Sequence, residues 1–76
     1  MKYEHIVYLK IKNNKQHVCI DRIFENGTRH FMTHYELPEA SGDQEGFDLM
    51  SKVAEWLGNS TLIDSPDFRE HIGVNE

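Results

Sequence analysis

His17, Cys19 and His34 are the side chains whose chemistry must be placed first. In a β-strand, residues two apart share a face, so His17-x-Cys19 presents an imidazole and a thiol together. His34 from a neighbouring strand would add a third donor, with Glu36 or Tyr8 near, and such a set suits Zn2+. The short Cys or Cys/His knuckles that mark specific zinc sites are absent from the sequence. The favoured reading is a mixed, solvent-facing surface with ordinary histidines. The expectation is no cofactor, with His17, Cys19 and His34 kept as the minor metal-binding alternative.

His30 and His34 form a His-x-x-x-His pair. On a strand these residues share a face but stand about 13 Å apart, too far to hold one ion. No Glu follows the first His, so the helical metalloprotease motif is missing. Cys19 with a histidine raises nucleophilic catalysis, which also needs a positioned base, an oxyanion hole and a cleft. A small sheet with one helix offers little cleft. There is no Gly-rich phosphate loop. The expectation is a protein that is not an enzyme.

The elements that would position these residues follow from turn chemistry. Asn26-Gly27 is a strong hairpin signal, because a type I′ turn needs positive φ at both central residues. Asn13-Asn14 is a second two-residue turn, since Asn tolerates the left-handed region. Strands are expected over Tyr3–Lys12, His17–Phe24 and Arg29–Glu36, with Pro38 ending the third. The two turns together set Leu9 against Val18 and Val7 against Ile20. They also set Val18 against Tyr35, Arg22 against Phe31 and Phe24 against Arg29. One face then collects Tyr3, Val7, Leu9, Ile11, Val18, Ile20, Phe24, Phe31 and Tyr35. Arg22 and Arg29 alternate to this packed side. The other face holds the rows Tyr8–Cys19–His34, Lys10–His17–Glu36 and Ile6–Asp21–Met32, followed by Ile23 and His30.

A loop is expected over residues 37–46 and a main helix over 47–58. Ser41 with Gln44 has the form of a capping box, Gly46 leaves a start nearer Asp43 or Gly46 open, and Gly58 suits the position after the end. Phe47, Met50, Val53, Ala54 and Leu57 form the packing stripe, widened by Leu49 and Trp56. Ser65-Pro66-Asp67 starts a short helix over 65–73, with Phe68 and Ile72 on one face and Gly73 ending it. Residues 74–76 are expected to fray. The fold class is α+β: a single small domain over 1–76, with a three-stranded antiparallel meander (1–36, order 1-2-3) on one main helix plus a short C-terminal helix.

At 76 residues there is room for one core only, and such small cores are marginal unless something supplements them. The single cysteine excludes an intrachain disulfide and fits a reducing compartment. No apolar run of about 20 residues is present, and residues 1–5 lack the plan of a signal peptide, so a cytoplasmic protein is expected. Residues 1–35 carry six Lys and Arg against three acids, whereas residues 36–76 carry two against ten. Nucleic acid binding is the alternative reading, through the sheet with Lys10, Lys12 and Lys15 and with Tyr8 for stacking. The net charge of −5 speaks against it.

The favoured partner is a protein. The open sheet face carries Ile6, Tyr8, His17, Cys19, Ile23, Met32 and His34, more apolar than a solvated face requires. Dimerisation through this face or through an edge strand would also supplement the core. The acidic surface of Glu39, Asp43, Glu45, Asp48 and Glu55 reads first as a solvated helix face, since charge runs usually solvate; the alternative is that it meets a basic partner and occupies a site meant for nucleic acid. The class expected is a small regulator or inhibitor, of the size that phages and mobile elements encode.

Overall fold

The computed structural model describes residues 2–60, 62, 63 and 65–73. The element order is β1 (Tyr3–Lys12), β2 (Lys15–Phe24), β3 (Arg29–Glu36), α1 (Asp43–Asn59) and α2 (Pro66–Ile72). The strands form one antiparallel sheet in the order β1-β2-β3, as the turn chemistry predicts. The fraying expected for residues 74–76 lies outside the described residues.

Asn13 and Asn14 both have positive φ, 54° and 64°, so the expected two-residue turn is of type I′. It fixes the β1–β2 register without a break from Tyr3↔Phe24 to Lys12↔Lys15. The second turn differs from expectation. Only Gly27 has positive φ, 85°, and Asn26 does not. Phe24 N–H donates to Thr28 O and Gly27 N–H to Phe24 O, each at 2.9 Å, closing a three-residue loop. The Asn26 side chain accepts from Thr28 N–H at 2.9 Å, which stabilises this longer loop over the tighter one.

One added loop residue slips the register by one and would turn every β3 side chain over. A β-bulge cancels the slip. Near the turn the pairs are Ile23↔Arg29, Arg22↔His30 and Asp21↔Phe31, and beyond the irregularity at Ile20/Asp21 they are Ile20↔Thr33, Cys19↔His34, Val18↔Tyr35 and His17↔Glu36. Met32 is the extra residue, left without a Cα partner. Phe31 and Arg29 therefore lie on the open face, not the packed one, and His30 moves to the packed side. The expected row Ile6–Asp21–Met32 is instead Ile6–Asp21–Phe31.

The packed face meets the helices. Val18, Ile20, Val53 and Phe68 are wholly buried, with Tyr35, Leu37 and Ile72 nearly so. Each such side chain contributes about 1.5–3 kcal/mol relative to exposure. The helix α1 lies across β1 and β2. The short α2 packs on α1 and covers β3 by setting Phe68 edge-on to Tyr35, ring centroids 5.7 Å apart. Its ends follow the expected chemistry: Ser65 Oγ accepts from Phe68 N–H at 3.1 Å, and Gly73 takes φ 78°.

The ends of α1 follow it only in part: the helix starts at Asp43, a start that the sequence leaves open. The N-cap is Gly42 rather than Ser41, with no side-chain cap, and the helix runs through Gly58 to Asn59. The cause at the start is Gln16, whose Nε2 donates to the carbonyls of Ser41 (3.1 Å) and Gly42 (2.9 Å) and ties the loop to the sheet. Gln16 is buried opposite Ile11, and its docking against Gly46 displaces the expected stripe. Ile11 and Phe47 are thus 71% and 56% exposed rather than core, and Ala54 is exposed.

Candidate functional site

The open face of the sheet is the candidate site, and β2 is its centre. Rows across it run Glu4–Ile23–Arg29, Ile6–Asp21–Phe31, Tyr8–Cys19–His34 and Lys10–His17–Glu36. Because the bulge absorbs the slip, the last two rows stand as the sequence reading placed them.

Asp21 is the organising charge. Its side chain is 8% exposed, yet it carries two partners: Arg29 Nε donates to Oδ2 at 2.6 Å and the Tyr8 hydroxyl donates to Oδ1 at 3.2 Å. The Arg29 guanidinium also lies 5.5 Å from the centre of the Tyr8 ring. A carboxylate removed from water needs such partners. The bond to Asp21 raises the pKa of Arg29, and loss of solvent, reinforced by Asp21, raises that of the Tyr8 phenol. The sequence pattern, which places Arg29 on the packed side, does not show this network. The available signal was Asp21 itself, an acid at the centre of the open face that required a cation.

His17 and His34 meet across the strands, Nδ1 to Nδ1 at 3.3 Å, rings tilted by 31°. Cys19, the direct cross-strand partner of His34, is 4% exposed, with Sγ 3.8 Å from the His17 carbonyl. Burial pushes its thiol pKa up, away from the thiolate that nucleophilic or metal chemistry requires. Glu36 is held by Lys15 at 2.8 Å, which lowers its pKa and raises that of Lys15. No group of three or more His, Cys, Asp and Glu placed to hold a metal occurs among the described residues. Lys10, Lys12, His17, Cys19, Phe31 and His34 line a shallow concavity.

Of the other proposed contact residues, Ile6 is 36% exposed, Met32 37%, and Ile23 half-buried. The residue missed is Phe31, 59% exposed beside His34, ring centroids 5.9 Å apart. The acidic residues Glu39, Asp43, Glu45, Asp48 and Glu55 are all exposed and belong to α1 and the loop before it, not to the sheet. Asp48 accepts from Gln44 Nε2 at 2.8 Å. No helix is long and apolar enough to cross a membrane among the described residues. Compared with protein-family models, curated proteins and solved structures, the chain matches none of them.

Proposed function

We propose that this chain is a non-enzymatic protein-interaction module, a small regulator or inhibitor working in the cytoplasm, with the open sheet face as its contact surface. The observation that carries the reading is the exposure of Phe31 beside the fixed Tyr8–Asp21–Arg29 network. An exposed aromatic next to a pre-ordered Arg and Tyr has the composition of an interface centre. Holding Arg29 in place before binding reduces the ordering cost of association. Ile6 and Met32 extend the apolar area, and the exposed acids of α1 offer a second contact suited to a basic partner.

Affinity capture from the native host with the wild-type chain and with Phe31→Ala tests this. A partner retained by the wild type, lost with Phe31→Ala and kept with Phe47→Ala supports the reading. A partner equally retained by Phe31→Ala, or none at all, refutes it.

One observation favours a second reading, binding of nucleic acid. Lys10 and Lys12 form no ion pair among the described residues, and they share the concavity with His17, His34 and Phe31. Lysines flanking an aromatic could track a phosphate backbone and stack a base. Lys15 and Arg29, however, are already paired within the chain. Retention on single- or double-stranded DNA or RNA that weakens steeply with salt would support this second reading over the first.

A further inference from the structure

The strand β1 is an unusually clean sheet edge. It is ten residues long, contains no proline and pairs with β2 without any register shift. The opposite edge, β3, carries the Met32 bulge, a device that twists an edge away from further pairing. The type I′ turn makes Lys12 and Lys15 a hydrogen-bonded pair. By alternation Lys10, Tyr8, Ile6 and Glu4 direct their amides to β2. Ile11, Leu9, Val7, His5 and Tyr3 then direct theirs to the unpaired edge.

We infer that β1 pairs antiparallel with β1 of a second copy of this chain, centred on Val7, to make a six-stranded sheet. This inference does not rest on the open face binding a protein. It rests on the sequence of β1 being complementary to itself about Val7. In that register Glu4 faces Lys10 of the second copy and Ile6 faces Tyr8, each twice, on the open face. On the packed side Val7 meets Val7, His5 meets Leu9 and Tyr3 meets Ile11. The lysines that would repel an arbitrary strand meet Glu4. Lys2 and Lys12 oppose one another only at the two ends, in solvent. Centring the pair on Tyr8 instead sets Ile6 against Lys10 and leaves four facing pairs with outward amides rather than five.

A second observation points to the same edge. A groove of about 560 Å³ runs between β1 and α1, lined by Tyr3, His5, Val7, Ala54, Leu57 and Gly58. Ile11, at 71%, is the most exposed large apolar residue among those described. The Val7-centred register brings Ile11 of the second copy beside Tyr3, at the mouth of this groove. The most exposed aliphatic side chain among the described residues and the unfilled groove thus complete each other across the two-fold axis. Five facing pairs with outward amides supply about ten ladder hydrogen bonds. Growth stops at two copies, because the outer edges of the product are both bulged β3 strands.

The test is sedimentation equilibrium of the full chain with Glu4→Lys, Lys10→Glu, and an equimolar mixture of the two variants. Both positions are exposed, and circular dichroism would verify the fold of each. The wild type is expected to be dimeric at about 100 μM, each single variant to dissociate roughly tenfold more readily, and the mixture to recover wild-type association. In the mixture, Lys faces Glu at every crossed pair. A monomeric wild type, variants that associate unchanged, or a mixture that fails to recover would each overturn the inference.

Discussion

Gly46→Ala should destabilise this protein, although in an ordinary helix interior the same change gains about 1 kcal/mol. A Cβ at Gly46 would clash with Gln16 Oε1 and lie 3.3 Å from Gln16 Cδ and 3.4 Å from Leu9 Cδ1. A glutamine amide normally swings aside at little cost. Here Nε2 is held by the carbonyls of Ser41 and Gly42 at 3.1 and 2.9 Å, and Oε1 is buried with no hydrogen-bond partner among the described residues. Rotating the amide would turn the oxygen towards those carbonyls. The choice is therefore overpacking, at about 1–3 kcal/mol, or loss of both hydrogen bonds, at about 0.5–1.5 kcal/mol each. After the helical gain of Ala, the net loss is about 0–2 kcal/mol, and its midpoint near 1 kcal/mol corresponds to roughly 4–8 °C in Tm. Thermal and urea unfolding of wild type, Gly46→Ala, Gln16→Ala and the double variant would read this directly. In the Gln16→Ala background the same alanine should become neutral or stabilising. If Gly46→Ala raises Tm in the wild type, or has equal effects in both backgrounds, Gln16 is not the lock described.

Arg29→Met should lower the urea midpoint by leaving the buried Asp21 carboxylate with the Tyr8 hydroxyl alone, and Asp21→Leu with Arg29→Met should lose less than the single change. Equal losses would show that the pair is incidental. Phe68→Ala removes a wholly buried ring held between Tyr35 and Trp56 and should cost about 3–5 kcal/mol, close to the full stability of a domain this size. Loss of Trp56 fluorescence shift and of near-ultraviolet dichroism would report it. His5 accepts a hydrogen bond from Arg22 Nε at 3.2 Å, and burial together with the Arg22 charge lowers its pKa below 6.5. The unfolded chain then binds the proton more readily, so this contribution is complete above pH 6.5 and is lost as the pH falls towards the folded pKa. Subtracting Tm-against-pH curves of His5→Ala from wild type should isolate a loss on acidification; a flat difference would refute it.

The meander was legible because two Asn-containing turns agreed on one apolar face, and α2 because Ser65, Pro66 and Gly73 each meet a backbone requirement that few other residues meet. The second loop was misread because Asn-Gly suits both a two-residue turn and a three-residue loop with Gly left-handed. Only the side-chain bond from Asn26 to Thr28 decides between them. That single ambiguity carried Phe31 and Arg29 to the wrong face. The rows of Tyr8, His17, Cys19 and His34 survived because Met32 restored the phase, which no local pattern announces. The start of α1 was set by Gln16, a residue 26 positions from the Gly42 carbonyl it holds, and a local capping rule has no access to such a partner.

Deleting one residue from the middle of a strand ordinarily acts like a frameshift: everything downstream faces the wrong way. At Met32 the opposite holds. Without it, Phe31 and Thr33 would follow each other opposite Asp21 and Ile20, and the ladder would run uninterrupted with the loop unchanged. Every side chain from Thr33 to Glu36 would keep its face. The single-residue deletion is therefore a silent edit for orientation, while straightening the one strand whose kink keeps it from recruiting neighbours. A chain so shortened would have two straight margins, and the β1 pairing inferred above would no longer stop at two copies.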